Sequence, residues 1–274
     1  MRHVGTDPSS YTGEMGGMIP EYVPISKEKK NEFATLLKAF SDVQDPHAGT
    51  VPIDFFRKNY DTYGPAVMLS VLNDIPFCHA QAHNLGRVIY EHTKDLPAAT
   101  ALCQSTCTAG CVHGVLMGLF ASTSGWSDKE RSVDDHATMK DLTQEFRKEV
   151  AGMCERSEIT RYTGIGNCYH AVGHALTTLA DYDIPSALDM CTLFSAKGPG
   201  AVYYCATGVY MERDIGLGAS DAKKSEVYPC TDNSYPAACF RYKLRRVFKL
   251  PRDYEKVIQL CAGLSGAQKS GCFH

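Results

Sequence analysis

The chain has 274 residues, 44% of them hydrophobic and 22% charged, which is the balance of a folded globular protein and excludes a disordered one. A formal net charge of −3 with no long Lys/Arg run leaves no basic surface to neutralise a phosphate backbone, so nucleic acid is not expected as a partner. No run of about 18 apolar residues is present, so no membrane span is expected. The GxSxG, HExxH, phosphate-loop and Rossmann motifs are all missing.

Residues 1–25 hold Gly5, Gly13, Gly16 and Gly17 together with three prolines, and read as an extended N-terminal arm. Tyr11, Ile19, Tyr22, Val23 and Ile25 give that arm apolar groups to bury, on its own body or on another copy of the chain. The first ten residues lack an apolar signal-type stretch, so a targeting segment is expected to have been removed or left out. From Ser26 the run SKEKKNEFATLLKAF predicts a first, capped helix. Residues 26–274 then read as a single disulfide-rich helical repeat domain.

Further along, DLPAATALC (Asp95–Cys103) and DIPSALDMC (Asp183–Cys191) share one pattern: Asp, an apolar residue, Pro, then small and apolar residues up to Cys. That pattern predicts a short helix with proline in its first turn. AGMC ending at Cys154, SEVYPC ending at Cys230 and YEKVIQLC ending at Cys261 are looser versions. Gly125–Lys140 reads as a polar connection carrying Trp126.

The twelve cysteines fall into couples: Cys103/Cys111, Cys154/Cys168, Cys191/Cys205, Cys230/Cys239 and Cys261/Cys272, with Cys78/Cys107 left as a sixth. Each couple joins the end of one apolar segment to the next, and closing a loop of about ten residues stabilises by about 2–3 kcal/mol in the chain-entropy model. Sulfur usage on this scale places the chain in an oxidising setting: secreted, periplasmic or at the cell surface. Helix pairs recurring every ~30–40 residues predict an all-α fold of helical hairpins, an α-solenoid or curved helical array stapled by disulfides. In layout this resembles tetratricopeptide-like solenoids, whose Trp, Gly and Pro consensus is missing here. GCFH at the C-terminus repeats GCVH at Gly110–His113, so the last repeat reads as cut short.

The functional signal lies in five histidines. His79 and His83 are spaced i, i+4, as are His170 and His174, so each pair projects from one face of a helix. His113 falls two residues after its turn cysteine, like His170, and Met117 falls in register with His174. The same stripe continues through Thr207 and Met211, then Arg241 and Arg245, then His274. Converging from neighbouring inner helices, the five would grip one transition metal ion, zinc, copper or iron, with the Met117 thioether favouring copper. Glu91 and Glu212, with Asp181, are candidates to orient a ligating imidazole or accept a proton, and Arg241 and Arg245 to contact an anion. The expectation is an extracytoplasmic metal-binding protein, with hydrolytic or oxygen-dependent chemistry if a coordination position stays open. The rival reading is a self-assembling or partner-binding scaffold whose histidines serve structural hydrogen bonds.

Overall fold

A computed structural model describes residues 25–43, 51–76, 78–103, 107–123, 137–221, 224–225, 227–231, 233–247 and 254–273. Most of the arm 1–25, Trp126 with most of its connection, and His274 lie outside the described residues, as does the side chain of Arg245.

Among the described residues the regular elements are all helical. They run α1 (Lys27–Val43), α2 (Ile53–Asn73), α3 (His79–Thr93), α4 (Leu96–Cys103), α5 (Gly110–Thr123), α6 (Gln144–Gly152), α7 (Ser157–Thr163), α8 (Ile165–Leu179), α9 (Ile184–Cys191), α10 (Pro199–Asp221), α11 (Pro236–Val247), α12 (Tyr254–Ala262) and α13 (Gly266–Cys272).

The caps sit where the residue types dictate. Ser26 Oγ accepts from Lys29 N at 3.3 Å, Asp95 Oδ1 from Ala98 N at 2.7 Å and Asp183 Oδ2 from Ser186 N at 2.9 Å, each satisfying an otherwise orphan amide of a first turn. Two expected segments differ. SEVYPC ends in a turn over 227–231 rather than in a helix, and α10 starts at Pro199, so Cys205 lies well inside its helix rather than opening it. Gly198, at φ 97°, makes the turn that places Pro199 at the first helical position, which suits a residue without an amide hydrogen.

α3 packs on α5, α5 on α8, α8 on α10, α10 on α11 and α11 on α13, with the shorter α4, α7 and α9 against these. Burial follows that layout. Every residue from Gly110 to Phe120 of α5 is buried, as is nearly all of α8 from Cys168 to Leu179, whereas α1 shows solvent one face. All twelve cysteines are joined, as Cys78–Cys107, Cys103–Cys111, Cys154–Cys168, Cys191–Cys205, Cys230–Cys239 and Cys261–Cys272. These are the couples that the spacing suggests.

Glycines set the distance between the inner helices. A Cβ on Gly114 would lie 2.0 Å from the carbonyl oxygen of His83, and one on Gly208 1.9 Å from that of His170. Gly86 and Gly173 meet the carbonyl oxygens of Cys111 and Cys205 in the same way, at 2.0 and 2.1 Å. The α3/α5 and α8/α10 pairs therefore cross backbone on backbone, and two of the four carbonyls at the crossings belong to histidines.

Candidate metal centre

α3, α5 and α8 carry the five histidines to one place. One ring nitrogen from each of His79, His113, His170 and His174 lies within 4.8 Å of the other three. His83 packs against three of these rings, with centroids 4.6 Å from His79, 4.5 Å from His174 and 5.5 Å from His113. His83, His113, His170 and His174 are all buried, and His79 is half-buried. Imidazoles buried in an apolar interior are costly unless their nitrogens find partners.

The partners of Nδ1 fix where the protons are. His170 Nδ1 lies 2.8 Å from Thr207 Oγ1, and the Thr207 hydroxyl gives its own hydrogen to the carbonyl of Tyr204 at 2.6 Å. Thr207 is left only to accept, so His170 carries its proton on Nδ1. His174 Nδ1 lies 2.8 Å from Glu212 Oε2, and His79 Nδ1 lies 3.0 Å from the carbonyl oxygen of Cys107. Both acceptors hold a proton on Nδ1 and leave the Nε2 lone pair of each ring turned to the opposite side. That is how ligating histidines are oriented.

His170 Nε2 and His174 Nε2 stand only 2.9 Å apart. His113 has no hydrogen-bond partner for either nitrogen among the described residues, and His83 has none for Nε2. An ion with metal–nitrogen bonds of about 2.1 Å holds adjacent nitrogens about 3.0–3.4 Å apart, so the 2.9 Å pair needs only a small relaxation to become two ligands.

Glu212, from α10, is 4% exposed and faces two rings, His174 Nδ1 at 2.8 Å and His83 Nδ1 at 3.4 Å. Burial pushes its carboxyl up, but the two imidazole N–H groups outweigh that and hold it well below the usual carboxylate range. Burial, reinforced by the neighbouring imidazoles, pushes His113 and His170 well below the ordinary histidine value. Burial with His83 beside it lowers His174 to about 4, partly offset by Glu212. At neutral pH His113, His170 and His174 are therefore uncharged, the form in which histidine binds metal. Burial also pushes the Tyr182 hydroxyl up, and the charge of Glu212 adds to that.

The other anticipated groups sit as follows. Met117 is buried in the core one turn beyond His113. Glu91 turns away from the histidines and forms a two-armed pair with Arg57 of α2, at 2.6 and 2.8 Å. Arg241 is exposed on α11, near enough for its charge to contribute to the lowering of His170. His92, outside the register, stacks on Tyr60 with centroids 3.9 Å apart. Thr207 stands on the same stripe as His113 and His170, a signal that the sequence offered without a role. The Cys107 carbonyl had no such signal: it depends on Cys107, Thr108 and Ala109 all adopting left-handed backbone, at φ 52°, 56° and 64°.

No family model, no curated protein and no solved structure matches the chain.

Proposed function

We propose that this chain binds one transition metal ion, zinc, copper or iron, through His79, His113, His170 and His174, in an oxidising extracytoplasmic setting. The observation that carries this reading is the 2.9 Å separation of His170 Nε2 and His174 Nε2 while acceptors occupy both Nδ1 protons. Two lone pairs that close repel, and a proton or a cation between them removes the repulsion. A proton serves two nitrogens, and burial opposes it at neutral pH. An ion serves four, and it takes in His113 as well.

Glu212, Thr207 and the Cys107 carbonyl each hold one ligand in orientation, the outer layer that sets ligand basicity in metal sites. Six disulfides favour secretion or the cell surface. The matching glycine crossings of α3/α5 and α8/α10 support a curved helical repeat in which these hairpins are equivalent units. Four imidazoles complete a tetrahedral ion; hydrolytic or oxygen-dependent chemistry requires a further position for water or oxygen.

Elemental analysis of the chain purified without chelators, beside a His170→Ala/His174→Ala variant, tests the reading. A near-stoichiometric metal content lost in the variant, with the helical circular dichroism retained, is expected. Absence of metal from the wild type after exposure to zinc, copper and iron salts would overturn it.

A further inference from the structure

His83 is the one member of the cluster left outside the set of four. Its ring touches three of them, yet it is not among the four whose nitrogens lie within 4.8 Å of one another; one of its nitrogens instead lies within 4.8 Å of ligand atoms of His174 and Glu212. Its Nδ1 faces the Glu212 carboxylate at 3.4 Å, which places the proton on that side. Its Nε2 is fully buried and has no partner among the described residues, although the residue is only 3% exposed. A buried acceptor without a donor loses its solvation with nothing in return, so something that donates belongs beside it. His79 and His174 are excluded as that donor because they carry their hydrogens on Nδ1 toward Cys107 and Glu212, and His113 makes no hydrogen bond to it.

Resting on the metal reading, we propose that the ion carries a fifth, non-protein ligand, water or hydroxide, hydrogen-bonded to His83 Nε2. A water bonded to the ion at about 2.1 Å and donating to a nitrogen at about 2.8 Å sets that nitrogen about 4–5 Å from the ion. This is outside coordination and compatible with the ring contacts that His83 makes with His79, His113 and His174. Glu212 then links the two layers: one carboxylate fixes the ligand His174 and the water-binding His83 in the same orientation. The ion is then five-coordinate, with His83 holding the bound water in place. His83 is here a positioning residue for that water.

Cobalt(II) absorption of the full chain tests this, since four-coordinate cobalt absorbs several-fold more strongly than five-coordinate cobalt. His83→Asn keeps an amide facing Glu212 but removes the Nε2 position, whereas His83→Gln keeps an acceptor near that position. Wild type and His83→Gln are expected to give weak bands, and His83→Asn bands several-fold stronger at the same cobalt stoichiometry. A His83→Asn spectrum equal to that of the wild type overturns the proposal. A cobalt affinity falling by about tenfold or more in His83→Asn, with one imidazole fewer by X-ray absorption, also overturns it, because His83 would then be a ligand. If the wild-type chain takes up no cobalt while folded by circular dichroism, the metal reading itself fails and this proposal with it.

Discussion

Replacing Gly208 by alanine puts the new Cβ 1.9 Å from the carbonyl oxygen of His170 and 3.0 Å from the Cα of Gly173. Both neighbours are backbone, so no side chain can swing aside. An ordinary carbon–oxygen contact is about 3.4 Å, so α8 and α10 must part by about 1.5 Å at the crossing. Overpacking of this kind costs about 1–3 kcal/mol, or a fall in Tm of about 2–10 °C for a chain of this size. The same displacement carries His170 away from Thr207, which is on α10, and disturbs its 2.8 Å hydrogen bond. Gly200 supplies the control within the same helix, because a Cβ there meets nothing within 4 Å. Gly200→Ala is expected to raise stability by about 0.4–1 kcal/mol through helix propensity and the unfolded chain. Thermal melts under non-reducing conditions, with zinc competition against a chromophoric chelator, measure both effects. Equal melts for the two variants would refute the claim that close glycine crossings position the histidines.

Glu212→Gln removes the carboxylate that faces two imidazoles, and zinc affinity is expected to fall about 10–100-fold; Glu91→Gln, which breaks only the Arg57 pair, is expected to leave it unchanged in the same competition assay. A Cys78→Ser/Cys107→Ser variant opens a bridge of sequence separation 29, and denaturant titration is expected to show a loss of about 3–4 kcal/mol. Because the Cys107 carbonyl orients His79, the same variant is expected to bind zinc more weakly, whereas serine at Cys261 and Cys272 is expected to lower stability alone. In the absence of metal, His174 titrates near 4 when folded and near 6.5 when unfolded, so the unfolded chain binds more protons between these values. Stability measured by urea titration is therefore expected to rise with pH across that window and to level off above it; a fall would refute the burial argument.

The cysteine couples, the capped first helix, the short helices with proline in the first turn and the paired histidines are all legible along the chain, because each rests on local rules: loop length, helix-start chemistry and the 3.6-residue period. The Glu91 and Glu212 carboxylates were not separable in that way. Glu91 follows His83 by eight residues, about 12 Å along the axis of α3, and pairs with Arg57 instead. Glu212 reaches the histidines from a different helix, 38 residues after His174. Thr207 stood in register on the stripe, but its role as acceptor follows only from its hydroxyl hydrogen being spent on Tyr204.

By itself the sequence determined several of the helices, which cysteines are near enough to couple and which face of a helix carries imidazole. Tertiary structure decided which of those faces meet. Periodicity fixes the direction of a side chain about its own helix axis, while the neighbour it meets depends on how closely two backbones can approach. Here Gly86, Gly114, Gly173 and Gly208 set that approach by leaving room for a carbonyl where any other residue would place a carbon.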